Sequence, residues 1–116
     1  MAAALGVLGK KPGRHIAVLG DMLELGVCTQ AEHYRVGRIA AENADIVLAY
    51  GPNSERVISG ALTGGMPDSK AMAFADREHL IEALKCLAKP GDVLLFKGSH
   101  GMHMELALEG FLREDT

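Results

Sequence analysis

Apolar residues along this chain fall into two alternating rhythms. Continuous runs at 16–19 (IAVL), within 45–50 (DIVLAY) and at 93–96 (VLLF) predict strands buried on both faces, since none shows the alternation of a half-exposed strand. The first such strand runs over 14–20, and a shorter one is predicted over 70–74. Between these runs apolar residues recur every three or four positions, which predicts helices with one buried stripe. Val36, Ile39 and Ala40 form the stripe of a helix over 29–43, which Thr29 and Glu32 open as a capping box. Gly51-Pro52-Asn53 begins a second helix with Val57, Ile58, Ala61 and Leu62 on one face, and Gly64-Gly65 ends it.

Asp76 caps a third helix, with Leu80, Ile81, Leu84 and Leu87 inward, and Lys89-Pro90-Gly91-Asp92 forms a turn before the last strand. Met104, Ala107, Leu108, Phe111 and Leu112 are the apolar set of the final helix, after which 113–116 fray. Met1, Ala4, Leu5 and Leu8 keep helical spacing too, and read as the last turns of a helix that Pro12-Gly13 breaks. Strands alternating with helices imply right-handed βαβ units and a mainly parallel sheet of at least four strands, flanked by helices. No repeat, linker or low-complexity tract divides the chain, so residues 1–116 are read as one α/β domain.

Composition narrows the function. A hydrophobic content of 48% with 23% charged residues is that of a globular chain, which sets disorder aside. A net charge of −3 with scattered Lys and Arg argues against a nucleic-acid partner. Cys28 and Cys86 are far apart and form no CxxC, so neither zinc nor a disulfide framework is expected; they read as thiols in a reducing compartment. The apolar N-terminal run has no basic residues before it, and Lys10-Lys11 come after; it does not read as a signal peptide. It is also too short to span a bilayer, so no membrane partner is expected.

The chemistry concentrates just past two strand ends. GDMLELG (20–26) follows the first strand and KGSHGMHME (97–105) follows the fourth. Ligands of open α/β sheets bind outside the carboxyl ends of strands, where strand order reverses. If the first and fourth strands flank that point, Asp21 and Ser99 face each other across it. Lys97 offers charge and Ser99 a hydroxyl, while Gly98 and Gly101 let the backbone approach a ligand beside the N–H groups of the next helix; a carboxylate fits that set. The bland alternative is a capping Ser and a solvated Lys, and for Asp21 a cap on the next turn. His100, Met102, His103 and Met104 cannot all point one way on a helix, so no metal site is expected. His33 and His79 lie on predicted helices as surface or packing residues. Gly6 and Gly9 are too close together, and precede rather than follow a strand, to form a phosphate loop; no GxGxxG occurs.

RHIAVLGDMLELG (14–26), the HYRVG stretch (33–37) and KGSHGMHME together resemble the C-terminal domain of the Mur ligase family, over essentially the whole chain. The resemblance implies a Rossmann-like three-layer core over 14–113, with 1–13 as the end of an inter-domain helix and its turn. It implies a fragment, inactive alone, of a bacterial cytoplasmic enzyme that adds D-alanyl-D-alanine to UDP-N-acetylmuramoyl-tripeptide. ATP and Mg2+ would be held mainly by a central domain, and the partners would be that domain and an N-terminal one. Lys97, Gly98, Ser99 and His100 would contact the incoming dipeptide and Asp21 would lie in the closing crevice; none would be a chemical catalyst. Many members carry Arg where this chain has His100, a weaker and pH-dependent donor. Two other readings keep the same fold: a receiver-like regulatory module using Asp21, Asp76 and Lys97, and a stand-alone module binding a small carboxylate.

Overall fold

The computed structural model describes residues 2–21, 29–98 and 104–112, and side chains within 5–21, 30–98 and 108–112. The elements in chain order are α1 (Ala2–Gly9), β1 (His15–Gly20), α2 (Thr29–Asn43), β2 (Ile46–Tyr50), α3 (Ser54–Thr63), β3 (Ala71–Phe74), α4 (Arg77–Leu87), β4 (Val93–Lys97) and α5 (Met104–Leu112), with a short 3-10 turn at Asp68–Lys70 before β3. All four strands pair in parallel in the order β3-β2-β1-β4. The strand order therefore reverses between β1 and β4.

Each strand sends alternate side chains to opposite faces. Ala17, Leu19, Val47, Ala49 and Ala71 meet Leu5, Leu8, Val36, Ala40, Val57 and Ala61 on one side. Ile16, Val18, Ile46, Leu48 and Tyr50 meet Leu80 and Leu84 on the other. β1 from Ile16 onward and all of β2 are buried, as solid apolar runs require. β4 departs from the expectation of full burial: Val93 to Phe96 are half-buried, because among the described residues β4 is an edge strand with no neighbour beyond it.

Helix ends follow local chemistry. Asp76 caps α4 through its side chain, which accepts the His79 N–H at 2.9 Å. The expected Thr29 cap involves a side chain outside the described residues. Leu62, Leu108 and Leu112, expected to face inward, are 38%, 39% and 66% exposed. On α3 the buried stripe is Ser54, Val57, Gly60 and Ala61, so the next residue, Leu62, turns away from it. On α5, Phe111 is the inward anchor and lies 6.2 Å from Phe96 between ring centres. The side chains of Met104 and Ala107 fall outside the described residues.

At the amino ends of the strands Arg14 and Asp92 close the edge. The guanidinium donates from Nε (3.0 Å) and Nη2 (2.6 Å) to the two carboxylate oxygens, and from Nη2 to the Leu87 carbonyl at 2.8 Å. Arg14 thereby holds the Asp92 carboxyl below its ordinary range, assisted by the Lys89 N–H. No described helix is long and apolar enough to cross a membrane.

Candidate functional site

The reversal between β1 and β4 sets the two chemical segments side by side. Leu19 pairs with Lys97 in the parallel register, so the exits of these strands are adjacent. Residues paired in register share a face. Lys97 is thus on the Leu19 side of the sheet, where α1, α2 and α3 pack, and Asp21, two residues beyond Leu19, continues the same alternation. Lys97 is exposed and makes no hydrogen bond or ion pair among the described residues; Gly98 is half-buried. Ser99 and His100 lie outside the described residues, as does 22–28.

Asp21 has a different environment from the one its sequence position suggested. It is 1% exposed. Its carboxylate accepts the Asn53 backbone N–H at 3.0 and 3.1 Å and the Asn53 side-chain amide at 2.7 Å. The acid is therefore fastened to the loop after β2 and forms no ion pair among the described residues. Asn53 stands at the N-cap of α3 but makes no side-chain cap bond; its amide nitrogen donates to Asp21 instead. Sequence reading assigned Asn53 only to a helix start; an Asn held back from the cap it favours is not a signal visible without the fold.

Beside this clasp, Gly51, Pro52, Ser54, Glu55, Ala73, Phe74 and Ala75 line an open cleft of about 360 Å³ at the exits of β2 and β3. Asp76, which a receiver would need as an acid, is engaged instead with the His79 N–H and with the imidazole Nδ1 at 2.7 and 2.8 Å.

Sequence reading also missed what holds α2 against α3. A Cβ on Gly37 would lie 1.9 Å from the Val57 carbonyl oxygen, and one on Gly60 would lie 2.0 Å from the Tyr34 carbonyl oxygen. Real Cβ atoms do not approach so closely, so both sites admit only glycine. The available signal was a Gly inside each helical pattern, a choice disfavoured by ~1 kcal/mol relative to Ala unless packing requires it.

No three His, Cys, Asp or Glu side chains gather as a metal site among the described residues. The sequence also has no phosphate loop. The described residues offer neither a phosphate cradle nor a carboxylate cluster that would fit ATP phosphates or Mg2+.

The fold is a three-layer α/β domain whose candidate residues Asp21 and Lys97 stand at the exits of the two strands that flank the topological switch point. The chain belongs to the Mur ligase family: the family model described as Mur ligase, glutamate ligase domain, matches residues 1–100. It is 37% identical over 99% of its length to the UDP-N-acetylmuramoyl-tripeptide–D-alanyl-D-alanine ligase of Synechocystis, of which it covers 25%. It is 38% identical over its full length to the ligase of that name from Escherichia coli, again covering 25%. A crystal structure of MurF from Acinetobacter baumannii superposes with a TM-score of 0.81 at 31% identity, over 94% of this chain and 24% of that one. MurF from Thermotoga maritima in complex with ADP gives 0.76 at 28% identity, over 93% and 24%. The chain spans about a quarter of the length of the curated relatives it matches.

Proposed function

We propose that this domain presents D-alanyl-D-alanine to an ATP-dependent ligase that joins it to UDP-N-acetylmuramoyl-tripeptide in the bacterial cytoplasm. The observation that carries the reading is full-length similarity to ligases of that name, joined to a fold that sets the GDMLELG and KGSHGMHME strand exits side by side. In this reading residues 1–13 end an inter-domain helix, and ATP and Mg2+ are held by the rest of the enzyme. Lys97 is the exposed cation at the crevice, suited to the dipeptide's terminal carboxylate. Gly98 lets the backbone come close, and Ser99 and His100 add donors to the same carboxylate. Closing the domain over the tripeptide excludes water from an activated carboxyl group.

The test is steady-state kinetics of the full-length polypeptide that carries this domain, with ATP, the UDP-tripeptide and D-alanyl-D-alanine. Lys97→Met should raise KM for the dipeptide by about tenfold or more, the loss of one charge-assisted contact, and leave KM for the UDP-tripeptide within about twofold. An unchanged dipeptide KM would remove Lys97 from the site. A full-length protein that forms no ligated product would sink the reading as a whole.

A further inference from the structure

Asp21 is a buried carboxylate whose partners among the described residues all belong to one neutral residue. Asn53 gives it both a backbone N–H and a side-chain amide, across the sequence gap between the β1 exit and the β2–α3 loop. One backbone N–H shared between the two oxygens at 3.0 and 3.1 Å, and one amide hydrogen at 2.7 Å, tie the carboxylate to Asn53. A group so occupied and only 1% exposed is poorly placed to bind a substrate directly.

We infer that Asn53 and Asp21 form a positioning clasp: Asn53 fixes the β1 exit at Asp21 against the β2–α3 loop, and so fixes where Asp21 stands relative to Lys97 on the adjacent strand. The inference rests on the proposed dipeptide role of that crevice and changes the part played by Asp21 within it. Asp21 is the first residue beyond β1 and the start of the GDMLELG segment's departure from the sheet. With Gly20 paired to Tyr50 in register, the clasp extends the β1–β2 alignment past the last ladder pair into the loops. Asn53 makes no side-chain cap bond to α3, and its amide is committed to Asp21. The same bond holds the Gly51–Ser54 wall of the neighbouring cleft in place.

The full-length polypeptide tests this. Asn53→Asp sets two carboxylates against each other at the 2.7 Å contact. Combining it with Asp21→Asn exchanges the groups. The new amide's oxygen can accept the backbone N–H of residue 53, and its nitrogen can donate to the new carboxylate. Asn53→Asp should raise KM for D-alanyl-D-alanine about tenfold and leave KM for ATP and the UDP-tripeptide near wild type, and the exchanged pair should recover most of the loss. Asn53→Ala should fall between. If Asn53→Asp does not fold, Asn53→Ala and the exchanged pair decide the matter. A purely structural clasp would lower the active fraction, and hence apparent kcat, with the dipeptide KM unchanged; that outcome overturns the inference. So does a folded exchanged pair with no recovery. Wild type that ligates while the variants keep wild-type KM values overturns the clasp alone. Wild type that forms no product overturns the clasp together with the functional reading beneath it.

Discussion

The two helical layers on this sheet are packed by different rules. On the α2–α3 side, backbone meets backbone: Gly37 and Gly60 leave no room for a Cβ, and the sheet contributes Ala17, Ala49 and Ala71 beside Leu19 and Val47. On the α4–α5 side, bulk meets bulk: Ile16, Ile46, Leu48, Leu80 and Leu84 fill the space, and Leu108 and Leu112 reach solvent. The first layer is specified by distance of approach, the second by volume. Side chains can adjust their rotamers around a changed neighbour, whereas a peptide carbonyl inside a helix cannot move without breaking its own bonds. Lys97 and Asp21 belong to the first side. In the proposed function, the crevice would stand on the layer with the least freedom, which suits strand exits that must keep their alignment.

The sharpest test of this contrast is to add one carbon on the tight side. Gly37→Ala should cost about 3 kcal/mol, at the upper end for overpacking, because the Val57 carbonyl must move. Urea denaturation measures it, and a loss below half of that would mean that the helices slide apart easily. Removing one carbon on the other side should cost less. Ile46→Val, at a residue 2% exposed, is expected to lose about 1 kcal/mol by the same assay. If the order of these two effects were reversed, the contrast between layers would fail.

The start of α4 gives a smaller, pH-dependent effect on the volume-packed side. The hydrogen bond and charge of Asp76 raise His79 above its ordinary 6.5. Stability from that charged imidazole is full below 6.5 and is lost as pH rises through the raised folded value. Bonds from the His79 N–H and ring lower Asp76 below its ordinary 3.8, so its contribution is present above 3.8 and is lost as pH falls through the lowered value. The gap in Tm between wild type and Asp76→Asn should therefore be widest between pH 4 and 6.5 and narrow on either side. A gap that does not vary with pH would show that capping alone, without the imidazole, is at work. The smallest effect is expected at Leu112, 66% exposed: Leu112→Ser should change stability by no more than about 0.5 kcal/mol. A larger loss would mean that this face of α5 is covered in the folded domain.

Much of the architecture was legible because it is local. The solid apolar runs became β1 and β2, the 29–43 periodicity became α2 with those bounds, and Asp76 became the cap of α4. Burial was less legible. VLLF in β4 reads as a strand buried on both faces, yet it is the edge of the sheet, and an apolar run cannot say how many neighbours it will have. Leu62 fits a helical stripe drawn on paper, but the width of the stripe is set by the surface that meets it. At the candidate site, the chemistry of Lys97 was visible from residue type and place. The partner of Asp21 was not, since Asn53 lies 32 residues away in sequence.

Taken alone, the chain determined the alternation of strand and helix, the positions of the turns, and which two segments carry chemistry, because hydrophobic period and turn propensity act over a few residues. Only the tertiary structure decided that β4 lies beside β1 rather than beyond β3, that Asp21 is bound by Asn53, and that two glycines let α2 and α3 approach closely. These are choices among distant partners, settled by what packs densely and leaves no buried polar group unbonded, and no window of sequence contains both halves of such a choice.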